Sequence, residues 1–337
     1  MIKVAIVGFG GIVHSTHLKA HMELENKGIT KLVAVCDVCP EKFEEKLEIN
    51  IGGADVTLGE DVKKYTDWKE MLANEDIDMV DICVPTYLHA EVAIGALESG
   101  HHVMCEKPMS LKYETCLEMC AAAKKAGKKL MIGQCCRFGA PYLYIKKLID
   151  EGTYGKVKSA VFQRLSPPPV WGWDNWYLDV NRSSGCVLDL HIHDIDYTRF
   201  VFGNPEKVSC TTTDVFSGKD IAHSRLMYKD FSVMAIGDWS RDGVPFELNC
   251  SITFEKATLT RLGPSIKVYP HGGEAFDAEY EPNDMYAEEI AYLVDCIENN
   301  KEIEGNIPED SALSVKLVNT LIESADKNGE FVPFVVE

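Results

Sequence analysis

Three short stretches of this chain gather residues whose chemistry depends on being close together. Asp189-Leu190-His191-Ile192-His193-Asp194-Ile195-Asp196 holds three aspartates and two histidines in eight residues. On a helix Asp189 and His193 stand i and i+4 and share a face, so a carboxylate can orient an imidazole that takes a proton from a substrate hydroxyl. Glu106-Lys107-Pro108 follows the strand-like run His102–Cys105, at the carboxyl end where open α/β sheets bind ligands. Pro108 restricts the residue before it and gives the Lys107 ammonium a fixed place. Gly8-Phe9-Gly10-Gly11-Ile12-Val13 follows the run Ile2–Val7 and opens a helix-like stretch. Its glycines permit a tight turn and the close approach of backbone to a pyrophosphate at a helix N-terminus, with Gly8, Gly10, Gly11 and Ile12 as the cradle. The third position of that pattern is Val13, where Gly or Ala is usual.

Asp37 ends the next strand-like run, Leu32–Cys36. A carboxylate there accepts hydrogen bonds from the ribose of NAD and repels the 2′-phosphate of NADP. No arginine follows in Val38-Cys39-Pro40-Glu41, so NAD is expected in preference to NADP. The 189–196 cluster has a rival reading as a zinc or manganese site. His191 points well away from His193 on a helix, so no metal is expected and His191 reads as a packing residue. Plainer readings stand beside each of these: a turn glycine, an aspartate capping a loop, a solvated lysine.

The elements that must hold these residues fall into two textures. Up to about residue 135, β-branched runs (Ile2–Val7, Leu32–Cys36, Met79–Val84, His102–Cys105, Leu130–Ile132) alternate with helix-like stretches (Gly11–Asn26, Glu41–Ile49, Asp67–Asn74, Ala90–Ser99, Lys112–Lys125). That alternation implies a doubly wound parallel sheet covered by helices. Beyond it come a helix-like Tyr142–Glu151 and longer alternating runs at Val157–Leu165, Lys207–Phe216, His223–Tyr228, Phe231–Trp239, Phe246–Phe254 and Thr258–Arg261. These imply a largely antiparallel sheet, with helices at Val187–Phe202, Met285–Asn299 and Glu309–Asn328. The expected architecture is therefore α/β over 1–135 and α+β over 136–337. Within the second, Ser166-Pro167-Pro168-Pro169 with Trp171, Trp173 and Trp176 forms a loop suited to covering a substrate.

A formal charge of −19 repels phosphate backbones, which argues against nucleic acid and anionic membranes as partners. No apolar run approaches the ~20 residues of a membrane helix, and no secretory signal is legible. The twelve cysteines are scattered, several in apolar runs, as in a reducing cytoplasm. Cys36 and Cys39 lack a second pair at zinc spacing.

Taken together, the chain resembles the glucose–fructose oxidoreductase, inositol dehydrogenase and rhizopine-catabolism (Gfo/Idh/MocA) family along essentially its whole length. The resemblance rests on the glycine turn with His17 after it, Asp81-Ile82-Cys83-Val84-Pro85-Thr86 with His89, Glu106-Lys107-Pro108, and Asp189 with His193. It implies a Rossmann domain followed by an α/β domain whose open sheet makes dimer or tetramer contacts. It also implies Lys107, Asp189 and His193 as catalytic residues. Pro85, Thr86, His89 and Glu106 would line the nicotinamide side of the cofactor site, with Arg137 near cofactor and substrate. The implied activity is NAD-dependent hydride transfer at a hydroxyl or carbonyl carbon of a sugar, inositol or polyol. Members commonly carry three glycines before the acid, where this chain has Ser183-Ser184-Gly185-Cys186, and often Gly where His191 stands; both departures bear on the substrate. Three competing readings stay open: an NAD-dependent, redox-neutral glycoside-cleaving enzyme, a non-catalytic NAD-binding regulator, and a metal-assisted lyase.

Overall fold

The computed structural model describes residues 1–44, 49 and 57–336. Its chain forms two compact units. The first comprises Met1–Cys135, Val170–Trp176 and Asp284–Val315; the second comprises Cys136–Pro169, Tyr177–Asn283 and the chain from Lys316 onward. The chain leaves the first unit after Cys135 and re-enters it twice, so neither unit is one continuous stretch.

The first unit is built on β1 (Ile2–Val7), β2 (Thr30–Cys36), β3 (Lys63–Tyr65), β4 (Met79–Ile82), β5 (His102–Glu106) and β6 (Leu130–Gly133). They form one sheet in the order β3-β2-β1-β4-β5-β6, parallel at every pairing. The order reverses at β1, which opens a crevice at the carboxyl ends of β1 and β4. Every residue of β4 and β6 is buried, which is why these strands read as apolar runs, interrupted only by Asp81 in β4. Helices α1 (Leu18–Asn26), α2 (Trp68–Asn74), α3 (His89–Glu98) and α4 (Tyr113–Ala126) connect them. Asp67 caps α2 by accepting from the Lys69 N–H at 2.8 Å. Of the helix expected over 41–49, the structure has a 3-10 turn at Pro40–Phe43; residues 45–48 lie outside the described residues.

The second unit carries α5 (Ala140–Asp150), α6 (Val180–Ser183), α7 (Cys186–Asp189) and α8 (Ile192–Phe202). Its strands are β7 (Val157–Leu165), β8 (Lys207–Thr213), β9 (Ile221–Met227), β10 (Ser232–Asp238), β11 (Glu247–Phe254), β12 (Ala257–Leu262), β13 (Ser265–Pro270), β14 (Phe276–Asp277) and β15 (Val332–Pro333). They form a nine-stranded sheet in the order β14-β13-β12-β11-β7-β10-β9-β8-β15. Only β7 with β10 is parallel; the other pairs are antiparallel. Burial alternates along β9, β10, β12 and β13, as one covered face requires. α7 packs against β9 and β10, and α8 against β7. The single helix expected over Val187–Phe202 is two pieces, interrupted at Leu190–His191.

Two helices close the chain, α9 (Met285–Glu298) and α10 (Pro308–Asp326). α9 belongs to the first unit and packs on α1, β5 and β6. Asp284 caps it, accepting from the Tyr286 N–H at 3.1 Å.

Candidate functional site

The glycine turn sits in the crevice at the end of β1. Gly8 has φ +91°, and a Cβ there would lie 2.6 Å from the backbone of Cys83 and Val84. Only glycine lets β1 turn this close to the end of β4. A Cβ on Gly10 would meet nothing within 4 Å, so open space lies over the turn where a pyrophosphate needs it. The helix starts at Gly11 and Ile12, passes through a π turn over Val13–His17 and continues as α1. Asp37 is fixed beside this turn. Its carboxylate accepts from the Phe9 N–H at 2.7 Å and the Cys39 N–H at 2.9 Å. Lys42 Nζ also reaches both its oxygens at 3.1 Å, one residue past the stretch Val38–Glu41 in which no arginine was found. An open glycine cradle at a helix start, with a buried carboxylate at the end of β2, fits NAD. Trp171 and Trp176 border the same unit's turns. The Trp171 Cδ1 lies 3.7 Å from the position of a Gly11 Cβ, and the Trp176 ring meets Tyr87 edge-on at 6.5 Å. Trp173 is exposed.

At the neighbouring strand ends, Pro85 leads into a 3-10 turn at Thr86–Leu88, and Thr86 is buried. His89 ties this turn to the next one: Nδ1 lies 2.8 Å from the Pro108 carbonyl and Nε2 2.9 Å from that of Val84. Burial pulls the His89 imidazole below its ordinary value, against the pull of the two carbonyls. Lys107 leaves the end of β5 directly after Glu106. The Glu106 carboxylate is turned inward, accepting the Lys107 main-chain N–H at 3.0 Å and meeting His17 Nε2 at 3.0 Å.

In the second unit, Asp189 is the last residue of α7 and is buried, while His193 lies in the first turn of α8 and is half-buried. Ahead of α7, Gly185 at φ +72° passes Lys219 so closely that a Cβ would fall 2.8 Å from the Lys219 carbonyl oxygen. The Cys186 N–H donates to that oxygen at 2.8 Å. Ser184 adopts φ +60°, the conformation that a glycine takes without cost. His193 Nδ1 is 4.0 Å from the Cys136 sulfur. His191 is fully buried, with Nε2 at 2.9 Å from Ser224 Oγ and the ring against Gly237. Burial lowers its imidazole to about 4, so it is neutral, in keeping with the packing role expected of it.

Sequence reading named Arg137, as a residue near cofactor and substrate, but foresaw neither its pairing with Asp196 nor that of Arg164 with Asp194. Arg137 donates from Nε at 2.8 Å and Nη2 at 2.6 Å to the two oxygens of Asp196. Arg164 does the same for Asp194, at 3.0 Å to each oxygen, and also donates to Tyr142 Oη at 3.1 Å. The signal was available in principle: a buried aspartate demands a cation. Nor did spacing reveal that His17, His21, Asp81 and Cys83 converge in the first unit. His17, Asp81 and Cys83 stand close enough to share an ion. However, burial pushes the Cys83 thiol far up, keeping it protonated, and both His17 nitrogens already face carboxylates, so the set forms a hydrogen-bonded cluster.

Comparison with known proteins agrees with this geometry. Residues 2–134 match the model of the oxidoreductase family with an NAD-binding Rossmann fold, and residues 142–260 match the Gfo/Idh/MocA C-terminal domain. The chain belongs to the Gfo/Idh/MocA oxidoreductase family. Among curated relatives, the 2,7-anhydro-N-acetylneuraminate hydratase of Mediterraneibacter gnavus is 34% identical over 169 residues, 49% of this chain and 42% of that protein. The inositol 2-dehydrogenase of Rhizobium meliloti is 33% identical over 217 residues, 63% of this chain and 58% of that one. The match thus spans about half the length of these relatives. A levoglucosan dehydrogenase solved with NADH and L-sorbose shares the fold, with TM-score 0.83 and 18% identity over 100% of this chain and 99% of its own.

Proposed function

We propose that this chain is an NAD-dependent oxidoreductase acting at a hydroxyl or carbonyl carbon of a sugar, inositol or related polyol. The observation that carries the reading is the dinucleotide cradle of Gly8, Gly10 and Asp37 at the switch point of a sheet whose β5 presents Lys107 at its carboxyl end. When bound, NAD supplies the hydride acceptor or donor. Gly8, Gly10, Gly11 and Ile12 cradle its pyrophosphate and Asp37 its ribose, while Pro85, Thr86 and His89 shape the nicotinamide side. His193 takes the hydroxyl proton as the carbon is oxidised, and Asp189 orients that imidazole. Lys107 donates to the reacting oxygen and stabilises its developing charge. Twelve cysteines, all free, suit a reducing cytoplasm. The outer face of the nine-stranded sheet exposes Met234, Leu262 and Tyr269, and a second copy of this chain covers it in a homodimer or homotetramer.

The test is a plate of polyols, inositols, aldoses and glycosides with NAD supplied, read by NADH absorbance. Reduction confined to one group of substrates is expected, and Lys107→Met should then keep NAD affinity and lose roughly 100-fold or more in kcat. Near-normal turnover in that variant would overturn the role of Lys107.

The match to a protein named a hydratase favours a second reading, since hydration involves no net oxidation. In that case NAD stays bound without exchange and substrate is consumed with no net NADH.

A further inference from the structure

Behind the Lys107 turn lies a cluster that the proposed chemistry does not use directly. His17, at the end of the π turn, is fully buried, as are Asp81 in β4 and His21 in α1. His17 Nδ1 lies 2.8 Å from Asp81 Oδ2 and its Nε2 3.0 Å from Glu106 Oε1. A carboxylate only accepts, so the ring satisfies both contacts only by carrying a proton on each nitrogen. The remaining Glu106 oxygen, Oε2, accepts the Lys107 main-chain N–H at 3.0 Å. The chain of contacts therefore runs unbroken from Asp81 through His17 and Glu106 to the backbone that carries the lysine.

We propose that His17 is a positioning residue for Lys107: donating to both Asp81 and Glu106, it holds the Glu106 carboxylate inward as the acceptor that fixes the Lys107 main chain. The inference rests on the reading that Lys107 acts at the reacting oxygen.

The surrounding groups bear this out on every side. From α1, His21 donates through Nε2 to the same Asp81 oxygen at 2.8 Å. From the end of β4, Cys83 stands 3.6 Å from His17 Nδ1 and from Asp81 Oδ1, as a neutral thiol. From α9, the Tyr286 ring meets the His17 ring at 5.7 Å, and α9 also carries the buried Glu289. On the π turn itself, His14 is taken up by Phe9, edge-on at 4.9 Å. Burial opposes charge on His17, but Asp81 overrides it and raises the imidazole well above its ordinary value. Asp81 shows the reciprocal effect: burial pushes it up, His17 overrides, and the carboxyl stays far below its usual range. A buried carboxylate that loses such a partner takes up a proton instead. Without His17, the Glu106 carboxylate loses the donor that turns it inward and no longer holds the Lys107 N–H in place.

The experiment uses the full-length protein, His17→Gln, Glu106→Gln and the double variant, with two readouts that need no substrate. In ring-15N spectra of the wild type, both His17 nitrogens should stay protonated at a pH where an ordinary imidazole, near ~6.5, has lost its second proton. Amide exchange at Lys107 should rise at least about tenfold in His17→Gln while the core strands of the first unit keep wild-type protection. Once a substrate is found, His17→Gln should lose roughly 10- to 100-fold in kcat through misplacement, and adding Glu106→Gln should cost little more, since both act through the same Lys107 main-chain contact. A neutral His17 ring at that pH, or Lys107 exchange that rises only with global exchange, overturns the proposal. Failure of every substrate overturns the oxidoreductase reading instead, and the ring and amide readouts still decide the role of His17.

Discussion

Asp194 and Asp196 each end on an arginine rather than on a substrate. Spacing singled out Asp189, i and i+4 with His193, and left Asp194 and Asp196 without an assigned part. The structure separates them: Asp194 and Asp196 are buried in two-point pairs with Arg164 and Arg137, and Asp189 stays at the end of α7. Those arginines lie 30 and 59 residues away in sequence, and no local pattern encodes which cation meets which acid. Asp196→Asn would leave the Arg137 guanidinium buried with a neutral partner, at a cost of about 3–5 kcal/mol. Urea unfolding should show that loss as a lower midpoint, and Arg137→Met with Asp196→Leu together should recover much of it. A midpoint unchanged in Asp196→Asn would mean the pair is not the anchor described. At this scale the chemistry-bearing residues were legible as types, and their division of labour was not, because it depends on contacts across the fold.

Elements were read more securely than residues. Strands β1, β2, β4, β5 and β6 announce themselves because both their faces are largely buried, so their runs are predominantly apolar. β3 was missed because this three-residue edge strand carries Lys63 and Lys64, which suit an edge and hide a strand. The break at Leu190–His191 was missed because helical periodicity carries through it. The π turn at Val13–His17 was likewise invisible, since one extra residue per turn barely shifts the pattern. The turn that this helix grows from gives a contrast between two glycines. In Gly8→Ala the new methyl meets the Cys83–Val84 backbone just past β4, which cannot yield as a side chain can, and positive φ adds strain; roughly 2–5 kcal/mol of stability should be lost. Gly10→Ala meets open space and should fold normally, with NAD affinity down at least about tenfold. Thermal melts with and without NAD separate the two, and a Gly10→Ala protein that binds NAD as the wild type does would remove the cradle from that position.

For the molecule as a whole, buried histidines set a pH window. His191 is held neutral at about 4 by burial, whereas an unfolded histidine takes a proton near ~6.5. The unfolded state therefore binds the extra proton, and stability falls as pH drops from about 6.5 toward 4. For His191 this amounts to at most about 3 kcal/mol. His102, lowered to about 4 by burial and then by Lys128 and Lys129, acts in the same direction. His17 acts oppositely: its contribution is complete below about 6.5 and fades only as pH rises through its elevated value. Melting temperature against pH should therefore descend below about 6.5, and His191→Gln should flatten that descent. An equally steep descent in the variant would take His191 out of the account.

The path of the chain between the two units has a bearing on ancestry and engineering. A gene fragment ending at Cys135 would encode all six parallel strands but omit α9, the helix that lies on α1, β5 and β6 and sets Tyr286 against His17. Such a fragment would expose an apolar flank and strip one wall from the carboxylate–imidazole cluster. Recombination at that junction would therefore not hand the nucleotide fold to a new partner intact. A successful graft must carry all three separated segments of the same unit, so the halves of this protein are expected to travel through evolution as a pair.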